Sequence, residues 1–117
     1  MKIVIAGAGE VGSHLAKLLS REEQDIIVLD RDKEKLNRLD SNYNLMTVGG
    51  SPTSFNDQRR AGVGSDCDLF IAVTPYENTN LIACGIAKSL GARKTVGRID
   101  NYEYLNPQNR GFFSAVG

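Results

Sequence analysis

The chain has 117 residues, which suits one domain burying roughly two thirds of its unfolded surface, and its fourteen basic and fourteen acidic residues cancel. That balance supplies no long-range field toward nucleic acid or an anionic membrane, and the opening apolar run is too short for a signal peptide or a membrane span, so a cytoplasmic chain is expected. Cys67 and Cys84 share no CxxC or metal-ligand spacing and read as reduced structural thiols; His14, the single histidine, reads as an exposed helix residue.

Ile3-Val4-Ile5-Ala6 predicts a first strand, and Gly7-Ala8-Gly9-Glu10-Val11-Gly12 follows it directly. Gly7 permits the strand-to-helix turn, Gly9 leaves room for a pyrophosphate to approach backbone N–H groups, and Gly12 lets the helix pack close to the strand. The unpaired N–H groups and positive dipole end of that helix attract phosphate without a basic side chain. Its apolar stripe is expected at Val11, Leu15, Leu18 and Leu19. Ile26-Ile27-Val28-Leu29 predicts a second strand ending in Asp30, 18 residues after Gly12, close to the ~20 expected of an acid that accepts ribose hydroxyls. A strand, the glycine pattern, a helix and an acid at this spacing predict a dinucleotide- or mononucleotide-binding β-α-β unit.

A short, mostly solvated second helix follows, with Asp32 as its N-cap and Leu36 and Leu39 as its seam. Arg31 would neutralise a ribose 2′-phosphate, whereas Asp30 and Asp32 would repel one; two carboxylates against one cation favour NAD over NADP. Leu45 to Val48 predicts a third strand, and Gly49-Gly50-Ser51-Pro52-Thr53 a loop near the adenosine. Ser54 to Ala61 is a candidate helix stopped by Gly62, in which Gln58 interrupts the stripe expected between Phe55 and Ala61. Leu69 to Val73 predicts a strand buried on both faces that delivers Thr74 to Asn80 to the same sheet edge. From Asn80 an apolar helix runs to Leu90, stops at Gly91 and carries Gly85 inside it, which suggests a close backbone approach, as to another subunit. Thr95 to Ile99 predicts a fifth strand, with Arg98 inside it and in need of a carboxylate or phosphate partner. A turn and a final helix are expected from 101 to 117, around Tyr104, Leu105, Phe112 and Phe113, and a sixth strand is missing.

No internal repeat or linker divides the chain. Right-handed crossovers then predict an α/β fold, a Rossmann-like doubly wound parallel sheet in a single domain, residues 1–117, with strand order 3-2-1-4-5.

The glycine loop, the acid pair Asp30 and Asp32, Gly50-Ser51-Pro52-Thr53, Ala72-Val73-Thr74, Glu77-Asn78-Thr79-Asn80 and Arg98-Ile99 together resemble one family. They look like the nucleotide-binding lobe of the Trk potassium-uptake regulatory proteins, the domain that regulates potassium conductance, over residues 1 to about 105. The resemblance implies a non-enzymatic, cytoplasmic regulatory subunit at the inner face of the cell membrane. It would bind NAD(H), or else ATP, ADP or AMP, and act on a membrane potassium transporter. It puts Gly7, Gly9, Glu10, Val11 and Gly12 on the phosphates, Asp30 on the ribose, Arg31 beside it and Ser51 near the adenine, with Thr74, Glu77 and Asn80 on the distal half. A homodimer or higher oligomer and a fragment of a longer regulator are further expectations. Gln58, Gly97 and Gly50 depart from the pattern, where leucine, alanine and a preceding non-glycine residue are expected. The competing class is the cofactor domain of an NAD-dependent dehydrogenase. Hydride transfer would need a positioned acid or base, and the sheet-edge loops offer Tyr76 and Glu77 but no His or Lys.

Overall fold

The computed structural model describes residues 1–21, 23–40 and 44–112, and the architecture below is that of these residues. Five parallel strands, β1 (Lys2–Ala6), β2 (Asp25–Asp30), β3 (Met46–Gly49), β4 (Leu69–Ala72) and β5 (Thr95–Gly97), lie in the order β3-β2-β1-β4-β5. Between them run α1 (Glu10–Leu19), α2 (Lys33–Asp40), α3 (Phe55–Arg60) and α4 (Glu77–Leu90). The expected fold and strand order are those observed. The chain builds outward from β1 to β3, then returns to lay β4 on the other side of β1, with Ala6 paired to both Leu29 and Ala72. That reversal leaves a crevice at the carboxyl ends of β1 and β4, where open α/β sheets bind ligands.

Strand alternation divides the core between the two sheet faces. Val4, Ala6, Ile27, Leu29 and Phe70 point to the α4 side, where they meet Ala83 and Ala87. Ile3, Ile5, Ile26 and Val28 point to the α1 and α2 side, where they meet Ala16, Leu36 and Leu39. The β1 residues Ile3 to Ala6 are almost wholly buried, and each large aliphatic or aromatic side chain in such a position contributes roughly 1.5–3 kcal/mol.

Several boundaries differ from those read in the sequence. The α1 stripe is Gly12, Leu15, Ala16 and Leu19, whereas Val11 and Leu18 are exposed. Small residues at 12 and 16 seat the helix close to the sheet and rotate the larger neighbours outward. Strand β3 runs one residue later than expected, from an exposed Met46. In α3 the pattern inverts: Phe55 is half-exposed and Gln58 is wholly buried, so Gln58 occupies the stripe instead of interrupting it. Helix α4 starts at Glu77, so residues 77–80 form its first turn and not a loop. Glu77 there complements the dipole, and Gly91 ends the helix in the left-handed region at φ 111. Strand β5 stops at Gly97, leaving Arg98 beyond it and exposed. After Asn101 the described chain forms two 3-10 turns, Tyr102–Leu105 and Pro107–Asn109, where one helix was expected. Pro107 holds Asn106 at φ −66, ψ 128, outside the helical region, and so separates them. Phe113 and the rest of the expected helix lie outside the described residues.

Candidate nucleotide-binding site

The glycine loop is built by sterics that can be read atom by atom. Gly7 sits at φ +119, which side-chain-bearing residues rarely adopt. A Cβ at Gly12 would lie 1.8 Å from the Gly7 carbonyl oxygen, so α1 can touch the turn only with glycine there. A Cβ at Gly9 would meet nothing within 4 Å; the space above Gly9 is open. Gly9 is also the N-cap of α1 and brings no capping side chain, so the first-turn N–H groups of Glu10, Val11 and Gly12 have no side-chain acceptor from the cap. The Ser13 hydroxyl donates to Ala8 O at 2.8 Å and steadies the loop from inside the helix.

Asp30 joins this loop to the end of β2. Its Oδ2 accepts from the Ala8 N–H at 2.7 Å and its Oδ1 from the Asp32 N–H at 2.8 Å. Each carboxylate oxygen keeps a second lone pair, so the group can still accept a hydroxyl while fixing both backbones. Asp32 caps α2, accepting from the Glu34 N–H at 3.0 Å.

Asp30 and Arg31 border a cleft of about 420 Å³ that reaches across the sheet edge to Ser51, Thr53, Thr74 and Tyr76. Such a volume lies within the range of small-molecule sites. Arg31 Nη2 donates to the Ser51 hydroxyl at 3.0 Å, closing the cleft between the β2 and β3 ends. The Ser51 loop is held from below by Asp57, whose carboxylate accepts from the Ser51 N–H at 2.9 Å and from Arg60 Nη2 at 2.8 Å. The Arg60 hydrogen bond first, and the Ser51 N–H second, hold the Asp57 carboxyl below its usual range. Gly50 suits this anchor, since a Cβ there would lie 2.8 Å from the Asp57 carboxylate and 3.0 Å from Arg60 Nη2 and would make those side chains shift.

On the β4 side the side chains are committed to one another. Asn80 is wholly buried; its Oδ1 accepts from the Thr74 N–H and hydroxyl, and its Nδ2 donates to Thr74 O and Arg98 O. All four hydrogen-bonding positions of the amide are filled, so Asn80 ties together the ends of β4 and β5. Glu77 Oε2 accepts from the Asp100 and Asn101 N–H groups, each at 2.8 Å. Arg98 Nε lies 3.5 Å from Asp100 Oδ1 at an exposed position, an internal carboxylate partner for its charge.

The sheet order thus brings together Gly7, Gly9, Glu10, Val11, Gly12, Asp30, Arg31, Ser51 and Thr74 at one edge, while Glu77, Asn80 and Arg98 form a separate brace beside it. Lys35 borders the cleft and was not singled out from the sequence. Its signal is positional: three residues after the Asp32 cap, it lies in the first turn of α2, where side chains lean back toward the helix start. Asp57 was missed because an acid two residues from a basic pair reads as surface. His14 is exposed, and both cysteines are free and buried, as expected. Burial raises the thiol of Cys84 to about 11 and pushes Cys67 up as well. No helix among the described residues is long and apolar enough to cross a membrane.

The TrkA-N domain matches residues 3–115. This chain belongs to the TrkA-N family. Among curated TrkA-N relatives, the Trk system potassium uptake protein TrkA of Haemophilus influenzae is 40% identical over 113 residues, which is 96% of this chain and 24% of that protein. The chain thus spans about a quarter of the length of the curated relatives it matches. Solved structures agree on the Rossmann-like fold. The NAD(P)-binding domain of an exopolyphosphatase-related protein from Archaeoglobus fulgidus superposes with a TM-score of 0.78 at 17% identity, covering 98% of this chain and 81% of that one. The Kef C-terminal domain of Shewanella denitrificans, in its AMP-bound form, superposes with a TM-score of 0.72 at 20% identity, covering 93% of this chain and 68% of that one.

Proposed function

We propose that this TrkA-N chain is the nucleotide-binding lobe of a longer potassium-uptake regulator, which binds NAD(H) or an adenine mononucleotide as effector and acts on a membrane potassium transporter. The observation that carries the reading is the open start of α1 beside the Asp30 carboxylate. An uncapped helix N-terminus, a glycine with space above it and an acid fixed to the loop supply donors for phosphate beside an acceptor for ribose. Gly7, Gly9, Glu10, Val11 and Gly12 take the phosphates, Asp30 the ribose and Ser51 the adenine side. Asn80 acts on the distal half by bracing Thr74, and Glu77 and Arg98 by holding the chain at Asp100 beside it. Asp30 and Asp32 favour a free 2′-hydroxyl, so NAD is preferred to NADP.

The lobe acts by binding and not by catalysis. Of the two candidates at this edge, Glu77 has Oε2 engaged by two backbone N–H groups, and Tyr76 borders the cleft but is largely exposed to water. A regulatory output requires the effector to bind two arrangements of the assembly unequally, because equal binding shifts nothing. The proposal therefore includes a homodimer, through the outer face of α4. There Ile82 is more than half exposed and, with Leu81, Gly85, Phe55 and Phe112, lines an apolar groove of about 810 Å³. The assembled regulator works at the cytoplasmic face of the membrane. Reconstituting the full-length regulator with its transporter and measuring potassium flux with and without NAD(H) or ATP tests this; flux that ignores every nucleotide would remove the regulatory role.

A further inference from the structure

Gln58 is wholly buried in α3 and, unlike the buried Asn80, keeps a side-chain atom without a partner. Its Nε2 donates to Pro52 O at 2.7 Å and to Ala83 O at 3.0 Å, while its Oε1 is one of two buried side-chain oxygens among the described residues with no hydrogen-bond partner, the other being Gln24 Oε1. An apolar side chain of similar length would fill the same space without an orphaned acceptor, so the amide is unfavourable as packing. Buried polar groups that break the packing rule tend to mark functional sites. The two bonds indicate which. Ala83 is a buried residue inside α4, a fixed point in the core. Pro52 belongs to the Ser51-Pro52-Thr53 turn that walls the 420 Å³ cleft.

We infer that Gln58 is a positioning residue for the adenosine side of the cleft: from an anchor on α4 it holds the Pro52 carbonyl and thereby sets where Ser51 and Thr53 stand. Asp57, the residue before it, grips the same turn through the Ser51 N–H. Successive α3 residues thus fix the turn at two points, one from the surface and one from the core. The Gln58 bridge connects the turn to α4, the helix whose opposite face lines the apolar groove. This inference rests on the nucleotide reading above, and its test separates the two.

Gln58→Met removes both donors at nearly constant volume. Amide hydrogen exchange of the intact chain should then accelerate about tenfold at Thr53 and Ser54 while β1 and β4 amides stay unchanged. AMP affinity by calorimetry should fall about tenfold, the scale of one lost hydrogen bond. A purely structural role would instead speed exchange throughout the core, and that result overturns the inference, as does unchanged exchange in the turn. Local acceleration with unaltered AMP affinity overturns the link to the cleft. If the unmodified chain binds no AMP, the nucleotide reading fails, and the exchange data alone decide whether Gln58 holds the turn. Gln58→Leu repeats the test, and failure of both variants to fold would mark Gln58 as structural and refute the positioning role.

Discussion

Gly9 and Gly12 lie three residues apart in sequence, yet a side chain would meet open space at one and backbone at the other. Gly12→Ala places a Cβ 1.8 Å from Gly7 O, where ordinary contact starts at 3.4 Å, so α1 and the loop backbone must separate by more than an ångström. Backbone cannot rotate away as a side chain can, and overpacking of this kind costs about 1–3 kcal/mol. Alanine's better helix propensity returns at most about 1 kcal/mol, so the steric effect wins. For a chain of this length the net shift is a Tm lowered by roughly 4–8 °C, with the phosphate loop displaced. Gly9→Val acts the other way. Its site is open and Gly9 has φ −74, ψ −162, a backbone that valine adopts freely. The poorer cap costs about 0.5–1 kcal/mol and is offset by about 0.4–1 kcal/mol of reduced unfolded-state entropy. Its Tm should stay within roughly 4 °C of the unmodified chain, while the branched side chain fills the phosphate position and lowers AMP and NAD affinity more than 100-fold by an order-of-magnitude expectation. Thermal melting and calorimetry on both variants test the pair. A Gly9→Val chain that binds normally, or a Gly12→Ala chain that melts normally, would refute the steric reading of the loop.

Asp30→Ala should weaken AMP or NAD binding by roughly tenfold to a hundredfold, the effect of losing a charged hydrogen bond, and calorimetry in which NADP binds more tightly than NAD would reverse the assignment of the acid. The Asp57 and Asp68 carboxyls are held below the ordinary 3.8, Asp57 chiefly by Arg60 and Asp68 chiefly by the Lys2 N–H. Depressed carboxyls add stability that is fully present above 3.8 and disappears as pH falls through their folded-state values. Asp57→Asn should therefore melt earlier than the unmodified chain at pH 7, with the gap narrowing below pH ~3; a gap that widens in acid contradicts the sign. Cys84 is buried and its thiol is pushed up to about 11, so at pH 8 iodoacetamide should label neither cysteine until the chain unfolds; prompt labelling of the native protein would count against the described packing. Sedimentation at high micromolar concentration, with and without nucleotide, should show a dimer, and Ile82→Lys on the outer face of α4 should dissociate it; a monomer throughout would argue against dimeric signalling by this lobe.

What the sequence revealed, and what it concealed, follows the range of each interaction. Gly7, Gly12 and Asp30 were legible because a tight turn, a close helix and a strand-end acid impose local constraints with fixed spacing. The strand order followed from crossover handedness alone. Gln58 was misread because its two acceptors, Pro52 O and Ala83 O, come from other elements, and one of them is 25 residues away. Asn80 was expected to face a ligand, and its amide is filled by Thr74 and Arg98, which only the meeting of β4 and β5 brings together. The start of α4 was placed late because residues 77–80 are polar and carry no apolar stripe. Their helical state depends on Thr74, which accepts from the Tyr76 N–H and donates to Asn80 across the turn.

The central claim is that a nucleotide sits over the start of α1, with its ribose on Asp30. Titrating AMP, NAD and NADP into the isotope-labelled chain, while following backbone amide shifts, tests it most directly. AMP and NAD should give saturable shifts centred on residues 7–13, 30–32 and 51–53, with NADP weaker. Shifts confined to the α4 groove around Ile82 and Gly85, or no shifts at millimolar nucleotide, would contradict it.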